Sequence, residues 1–131
     1  MKKAKKLGQY FTPDYVADFM IGLSKVPKSA KILEPACGNG VFLKLLKDKG
    51  YKNVIGYEID NTLEPITDAK IIFKSFVSEK IDKKYDLIVG NPPYIRWKNL
   101  DQELKDELEK NDLWQKYFNS LCDYLCIFVL K

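Results

Sequence analysis

Lys31-Ile32-Leu33-Glu34-Pro35-Ala36-Cys37-Gly38-Asn39-Gly40 joins a short apolar run ending in an acid to a turn with two glycines. Phe42, Leu45 and Leu46 then recur at helical spacing as far as Gly50, so the stretch predicts a strand, a loop and a helix in succession. Glycines at 38 and 40 let the backbone turn sharply off the strand and let a ligand approach the main chain at the helix N-terminus. Leu43 stands where a dinucleotide fingerprint places a third small residue, which argues against NAD or FAD. No Walker lysine and hydroxyl pair follows the turn, which excludes a P-loop nucleotide site.

Three more runs, Asn53-Val54-Ile55-Gly56-Tyr57-Glu58, Lys70-Ile71-Ile72-Phe73 and Tyr85-Asp86-Leu87-Ile88-Val89-Gly90, are almost continuously apolar rather than alternating. Such runs suit strands of a parallel sheet covered on both faces, giving an α/β fold. Upstream, Thr12-Pro13-Asp14 predicts a helix over residues 12–24 with Thr12 as its cap and Val16, Phe19, Met20 and Leu23 as its inner face. Downstream, Asn99 and Gln102 predict a capping box, with Leu100, Leu104 and Leu108 as a narrow stripe. A last helix is expected from Asp112, its face formed by Trp114, Tyr117, Phe118, Leu121, Leu125 and Phe128.

At 131 residues, 46% hydrophobic and 31% charged, the chain has the size and balance of one soluble domain. The net charge of +4 is mild and Arg96 is the only arginine, which leaves little for bidentate reading of guanine. The lysines of Met1-Lys2-Lys3-Ala4-Lys5-Lys6 read as a solvated terminus. Three cysteines (37, 122 and 126) without a single histidine exclude the usual zinc spacings and any Ser-His or Cys-His pair, and no metal is expected. An odd number of thiols, no leader and no apolar run near ~20 residues predict a cytoplasmic chain with no membrane partner.

The chemistry converges on Asn91-Pro92-Pro93-Tyr94, set directly behind the fourth run, where open α/β sheets keep their ligands. Two prolines fix φ at two positions and remove two donors. The Asn91 amide and the carbonyls beside it become preset acceptors with an aromatic ring one step on, an arrangement suited to a planar amine. Glu34 and Glu58, at the ends of adjacent strands, suit a ligand that carries cationic groups and a ribose but no phosphate.

These segments resemble the amino-methyltransferases that use S-adenosylmethionine, most closely the adenine-specific DNA methyltransferases of restriction-modification systems. The resemblance implies a Rossmann-like methyltransferase fold with a partial parallel sheet of about four strands and flanking helices. Residues 1–131 would form a single partial catalytic domain, with the target-recognition domain absent. It implies that Glu34, Ala36, Cys37, Gly38 and Gly40 contact the methionine moiety of S-adenosylmethionine, and that Glu58 binds its ribose while Ile59 lies against its adenine. Gly8-Gln9-Tyr10-Phe11-Thr12-Pro13 would close over the methionine end, with Thr12 as the contact. Ser75 stands where such enzymes usually carry an Asp for the cofactor's adenine amine, and Phe76 would keep its place against the ring; a neutral acceptor there costs on the order of 1 kcal/mol.

For the target, the resemblance implies extrusion of an adenine from DNA, capture of its amine by Asn91 and the Pro92 carbonyl, and stacking on Tyr94 beyond Pro93. A complete domain of this kind has a seven-stranded sheet, so the chain is expected to be either a truncated product or one half of a split enzyme, its fourth strand at an unprotected edge that in the split case a second polypeptide would complete. A protein-glutamine or RNA amino-methyltransferase would carry the same tetrad, and an inactive remnant or binding module is the remaining reading.

Overall fold

The computed structural model describes residues 11–92, 95, 97–117 and 128. Phe11–Asn91 forms one compact unit, and the described residues beyond Asn91 belong to a second.

The first unit runs α1 (Asp14–Leu23), β1 (Lys31–Glu34), α2 (Val41–Asp48), β2 (Asn53–Tyr57), β3 (Lys70–Ile72) and β4 (Leu87–Ile88). All four strands pair in parallel, in the order β3-β2-β1-β4. In register, Ile32 lies between Val54 and Leu87, and Leu33 between Ile55 and Ile88. Parallel neighbours need a crossover, and α2 supplies it between β1 and β2. Its Phe42, Leu43 and Leu46 are buried with Ile32, Val54, Ala17 and Ile21, while Leu87 and Val89 pack half-buried against the same core. The chain travels outward from β1 to β3 and returns to place β4 on the other side of β1. The order reverses between β1 and β4, and this is where ligands of open parallel sheets bind.

Three expectations change. Helix α1 begins at Asp14, and Pro13 rather than Thr12 holds the cap position: its carbonyl accepts the N–H groups of Val16 (3.0 Å) and Ala17 (3.1 Å) without a side-chain cap. Its buried face is Ala17 and Ile21, with Met20 half-buried, whereas Phe19 and Leu23 are 68% and 66% exposed. The helix is apolar on two opposite faces, and periodicity alone does not say which meets the core. The fourth strand is the third change. Its ladder residues shrink to Leu87 and Ile88, although Asp86 N–H to the Lys31 carbonyl (2.8 Å) and Val89 N–H to the Leu33 carbonyl (3.0 Å) extend the pairing. It lies at the sheet edge as expected, but one of its faces is uncovered, with Ile88 62% exposed.

In the second unit a 3-10 turn (Trp97–Asn99) leads into α3 (Gln102–Glu109) and α4 (Asp112–Tyr117). The turn closes when Leu100 N–H meets the Trp97 carbonyl, which makes Asp101 the first extended residue. Asp101 therefore caps α3 in place of Asn99, its carboxylate accepting from Leu104 N–H at 3.0 Å, and the Gln102 side chain donates to Asp106 instead. Leu100, Leu104 and Leu108 are buried as their spacing predicts. Asn111 caps α4 through the N–H groups of Leu113 and Trp114, and Trp114 stacks on Trp97 with centroids 5.4 Å apart. Tyr117 is exposed, contrary to the expected face, and Phe118, Leu121 and Leu125 lie outside the described residues.

Leu46→Ala is expected to destabilise the chain by about 2–5 kcal/mol, since a fully buried core leucine is lost, whereas Ile88→Ala should change stability by less than about 1 kcal/mol. Denaturant unfolding of the two variants checks the contrast, and equal losses would contradict the open face of β4.

Candidate cofactor site

The carboxyl ends of β1, β2 and β4 bring together three parts that are far apart in sequence. Beyond β1 the chain enters the glycine loop, where Gly38 and Gly40 take positive φ (58° and 100°) and Gly40 N–H closes a turn on the Cys37 carbonyl at 3.0 Å. Cys37 N–H donates to the Tyr57 carbonyl at 2.9 Å, which seats the loop on the end of β2. Its thiol is buried where Gly56 carries no side chain: a Cβ at Gly56 would lie 2.8 Å from Cys37 Sγ and 2.7 Å from Leu43 Cδ1. Burial first, then the charges of Glu34 and Glu58, push the Cys37 thiol up from its ordinary value and keep it neutral, a packing group rather than a nucleophile.

Glu58 fastens the loop. Its Oε1 accepts Gly38 N–H at 2.9 Å and its Oε2 accepts Asp60 N–H at 2.8 Å, so one buried carboxylate joins the glycine loop to the loop after β2. Asp60 is buried in turn and accepts from both the backbone N–H and the hydroxyl of Thr62. The next segment folds back onto the glycine loop, with Ile66 N–H on the Asn39 carbonyl at 2.9 Å and Thr67 against Gly40.

Glu34 ends β1 at the reversal point and is 2% exposed. Its Oε2 has no hydrogen-bond partner among the described residues, and neither has Asn39 Oδ1 in the adjoining loop. Burial, and next the charge of Glu58, hold its carboxyl well above the usual carboxylate range. From β4, Gly90 closes over it: φ is 153°, and a Cβ there would lie 2.9 Å from Glu34 Cγ and 3.1 Å from Oε1. Asn91 follows directly, half-buried.

The sequence-predicted residues thus fall into groups. Glu34 ends β1, Ala36, Cys37, Gly38 and Gly40 follow it in the glycine loop, and Glu58 is tied to that loop through Gly38 N–H, with Asn91 next in sequence to Gly90. Ile59 is 38% exposed beyond β2 and presents an apolar face. Ser75 is half-buried after β3, and Phe76 is buried with its ring edge-on to Tyr57, centroids 5.6 Å apart. Thr12 is half-buried ahead of α1. Pro92 opens the second unit, and Pro93 and Tyr94 lie outside the described residues.

Three positions went unread in the sequence. Gly56 and Gly90 are isolated glycines in apolar runs, a signal of close backbone approach that has a side chain, Cys37 and Glu34 respectively, as its cause here. Phe11, whose ring edge lies about 3.0 Å from where a Gly38 Cβ would be, carries no such signal. The donor set fits S-adenosylmethionine. It offers an unpaired buried carboxyl for a cationic group, a glycine surface without side chains, and an exposed Ile59 for an adenine face.

A four-stranded parallel sheet with this order and a glycine loop behind an acid-ended first strand is the fold of a class I methyltransferase. A crystal structure from Listeria monocytogenes, described as a class I S-adenosylmethionine-dependent methyltransferase, superposes with a TM-score of 0.64 over 95% of this chain and 42% of that one, at 15% identity. The model of the Eco57I restriction-modification methylase family matches residues 29–131, and the chain belongs to that family. It is 49% identical over its whole length to the type II methyltransferase M.HincII of Haemophilus influenzae, covering 26% of that protein. It is also 37% identical to the type II methyltransferase M.TthHB8I of Thermus thermophilus, over 69% of this chain and 22% of that protein. The chain therefore spans about a quarter of the length of these relatives.

Two outcomes are expected. Gly56→Ala should displace Cys37 and loosen the glycine loop, lowering the melting temperature, while Gly22→Ala, with open space around it, should not lower it. For Glu34, an unfolded glutamate ionises near pH ~4.3 and the folded one well above it. Its contribution is therefore fully present below the unfolded value and is lost as pH rises through the folded one. Glu34→Gln should accordingly flatten the fall in melting temperature of the ligand-free chain from about pH 5 upward, checked by melting at several pH values.

Proposed function

We propose that the chain is the cofactor-binding, N-terminal part of a DNA adenine methyltransferase that transfers the methyl group of S-adenosylmethionine to the exocyclic amine of adenine. The observation that carries this reading is the buried Glu34 carboxyl at the reversal point, its Oε2 without a partner among the described residues, between the glycine loop and Gly90-Asn91. The type II methyltransferase names of the relatives support DNA as the substrate. The Asn91-Pro92-Pro93-Tyr94 tetrad supports an amine as the acceptor.

In this reading Glu34 and the glycine loop take the methionine end, Glu58 binds the ribose hydroxyls, and Ile59 covers one adenine face. Thr12, Ser75 and Phe76 complete the cofactor contacts. The cofactor supplies an electrophilic sulfonium methyl. The Asn91 side-chain oxygen and the Pro92 carbonyl accept N–H hydrogen bonds from the target amine and aim its lone pair in line with that methyl, and the extruded base stacks on Tyr94. No base need act first, because the amine proton can leave after transfer.

The open edge of β4 and the exposed Ile88 support completion of the sheet by further polypeptide, either from the same protein or from a second one. Target recognition would then lie outside these residues. The same reading places the protein in the cytoplasm, and among the described residues no helix is long and apolar enough to cross a membrane.

Calorimetric titration with S-adenosylmethionine tests the pocket. Glu58→Ala strands the Gly38 and Asp60 N–H groups and should weaken binding by at least about tenfold, at about 1–3 kcal/mol per buried unpaired donor. Asn91→Ala should bind normally, yet abolish methyl transfer once the chain is assayed within a complete enzyme.

A further inference from the structure

The two carboxyl groups of the pocket are not equivalent. Glu58 receives N–H bonds on both oxygens, so the backbone compensates its charge. Glu34 is equally buried, yet its Oε2 receives none among the described residues, and its stem and other oxygen are pressed by Gly90. Two adjacent buried carboxylates repel, and the one without donors is the one that takes up a proton. We propose that Glu34 carries a proton while the pocket is empty and surrenders it to solvent when a cationic ligand arrives, so that cofactor binding releases about one proton. This rests on the reading of the pocket as the S-adenosylmethionine site.

Among the described residues, Glu58 and Cys37 are the titratable groups coupled to Glu34. Glu58, from the end of β2, accepts a backbone N–H on each of its two oxygens. Cys37, from the glycine loop, is pushed up by burial and stays a neutral thiol throughout. The segment that follows β4 contributes Val89, Gly90 and Asn91, none of which titrates. On binding, the Glu34 O–H bond breaks, its proton passes to buffer, and the carboxylate left behind faces the fixed positive charge of the ligand. The pocket thus exchanges one cation for another. Affinity for a cationic ligand rises about tenfold per pH unit over the range where Glu34 is protonated in the empty protein, and affinity for a neutral nucleoside does not. Selectivity for a charged cofactor then depends on pH through one residue.

The test is titration calorimetry of the full chain in buffers of unlike ionisation enthalpy, from about pH 6 to about pH 9, using S-adenosylmethionine, S-adenosylhomocysteine and adenosine. The expected result is proton release with S-adenosylmethionine, none with adenosine, and none with either for Glu34→Gln, whose binding should be weaker and flat with pH. Release that persists with S-adenosylhomocysteine assigns the exchange to the ligand's ammonium group. Release confined to S-adenosylmethionine assigns it to the sulfonium; both support the inference. S-adenosylmethionine binding without proton release, or release that survives Glu34→Gln, overturns it and leaves the site reading standing. The carboxyl carbon of Glu34, followed by NMR in the ligand-free chain, gives an independent answer: a signal already ionised at neutral pH overturns the inference whether or not any ligand binds. A folded chain that binds no S-adenosylmethionine at any pH overturns the site reading and the coupling together.

Discussion

The carboxylate of Glu58 is the fastening on which the rest of the site depends. One of its oxygens holds Gly38 N–H and the other holds Asp60 N–H, so the glycine loop, the end of β2 and the loop beyond it share a single anchor. Bonds from backbone N–H to a buried charge are among the stronger ones in a protein, and they leave no side chain in the ligand's way. The loop's second attachment, Cys37 N–H to the Tyr57 carbonyl, lies on the same strand end, and the thiol below it requires Gly56. A loop of small residues has little packing of its own. Its shape is imposed from β2.

Glu34 shows the cost of this arrangement. A carboxyl buried beside another, with an oxygen that no described residue satisfies, destabilises the empty fold. Burial of Leu33, Leu43 and Leu46 around the strand end offsets that cost. A ligand that brings positive charge relieves it, which couples occupancy of the pocket to stability.

The edge of the sheet is incomplete in a different sense. Among the described residues no strand pairs with the outer side of β4, Ile88 is exposed on one face, and α1 turns Tyr15, Phe19 and Leu23 outward. Helices that are apolar on opposite sides normally lie between two layers. In relatives about four times as long there is ample polypeptide to supply the second layer. The sequence already carried this ambiguity: the spacing of residues 16, 19, 20 and 23 is a good helical face, and so is that of Ala17 and Ile21. Which one packs is decided by what the rest of the chain offers, here α2.

Much of the fold was legible locally. The near-continuous apolar runs identified four parallel strands, and the glycine turn after an acid-ended strand located the site, because those choices depend on side-chain pattern and on backbone freedom at a few positions. The capping of α3 was misread at Asn99 because the 3-10 turn ahead of it shifts the first extended residue to Asp101. The sequence by itself determined the parallel α/β class, the glycine loop, the two acids and the Asn-Pro-Pro-Tyr cluster behind the fourth strand. Only the tertiary structure decided that Glu58 is the loop's fastening and Glu34 the unpaired acid, and that Gly56 and Gly90 exist for the side chains opposite them. Each of these facts depends on contacts between strand ends that are neighbours in the sheet; the isolated glycines mark a close approach in the chain, but not the side chain that approaches.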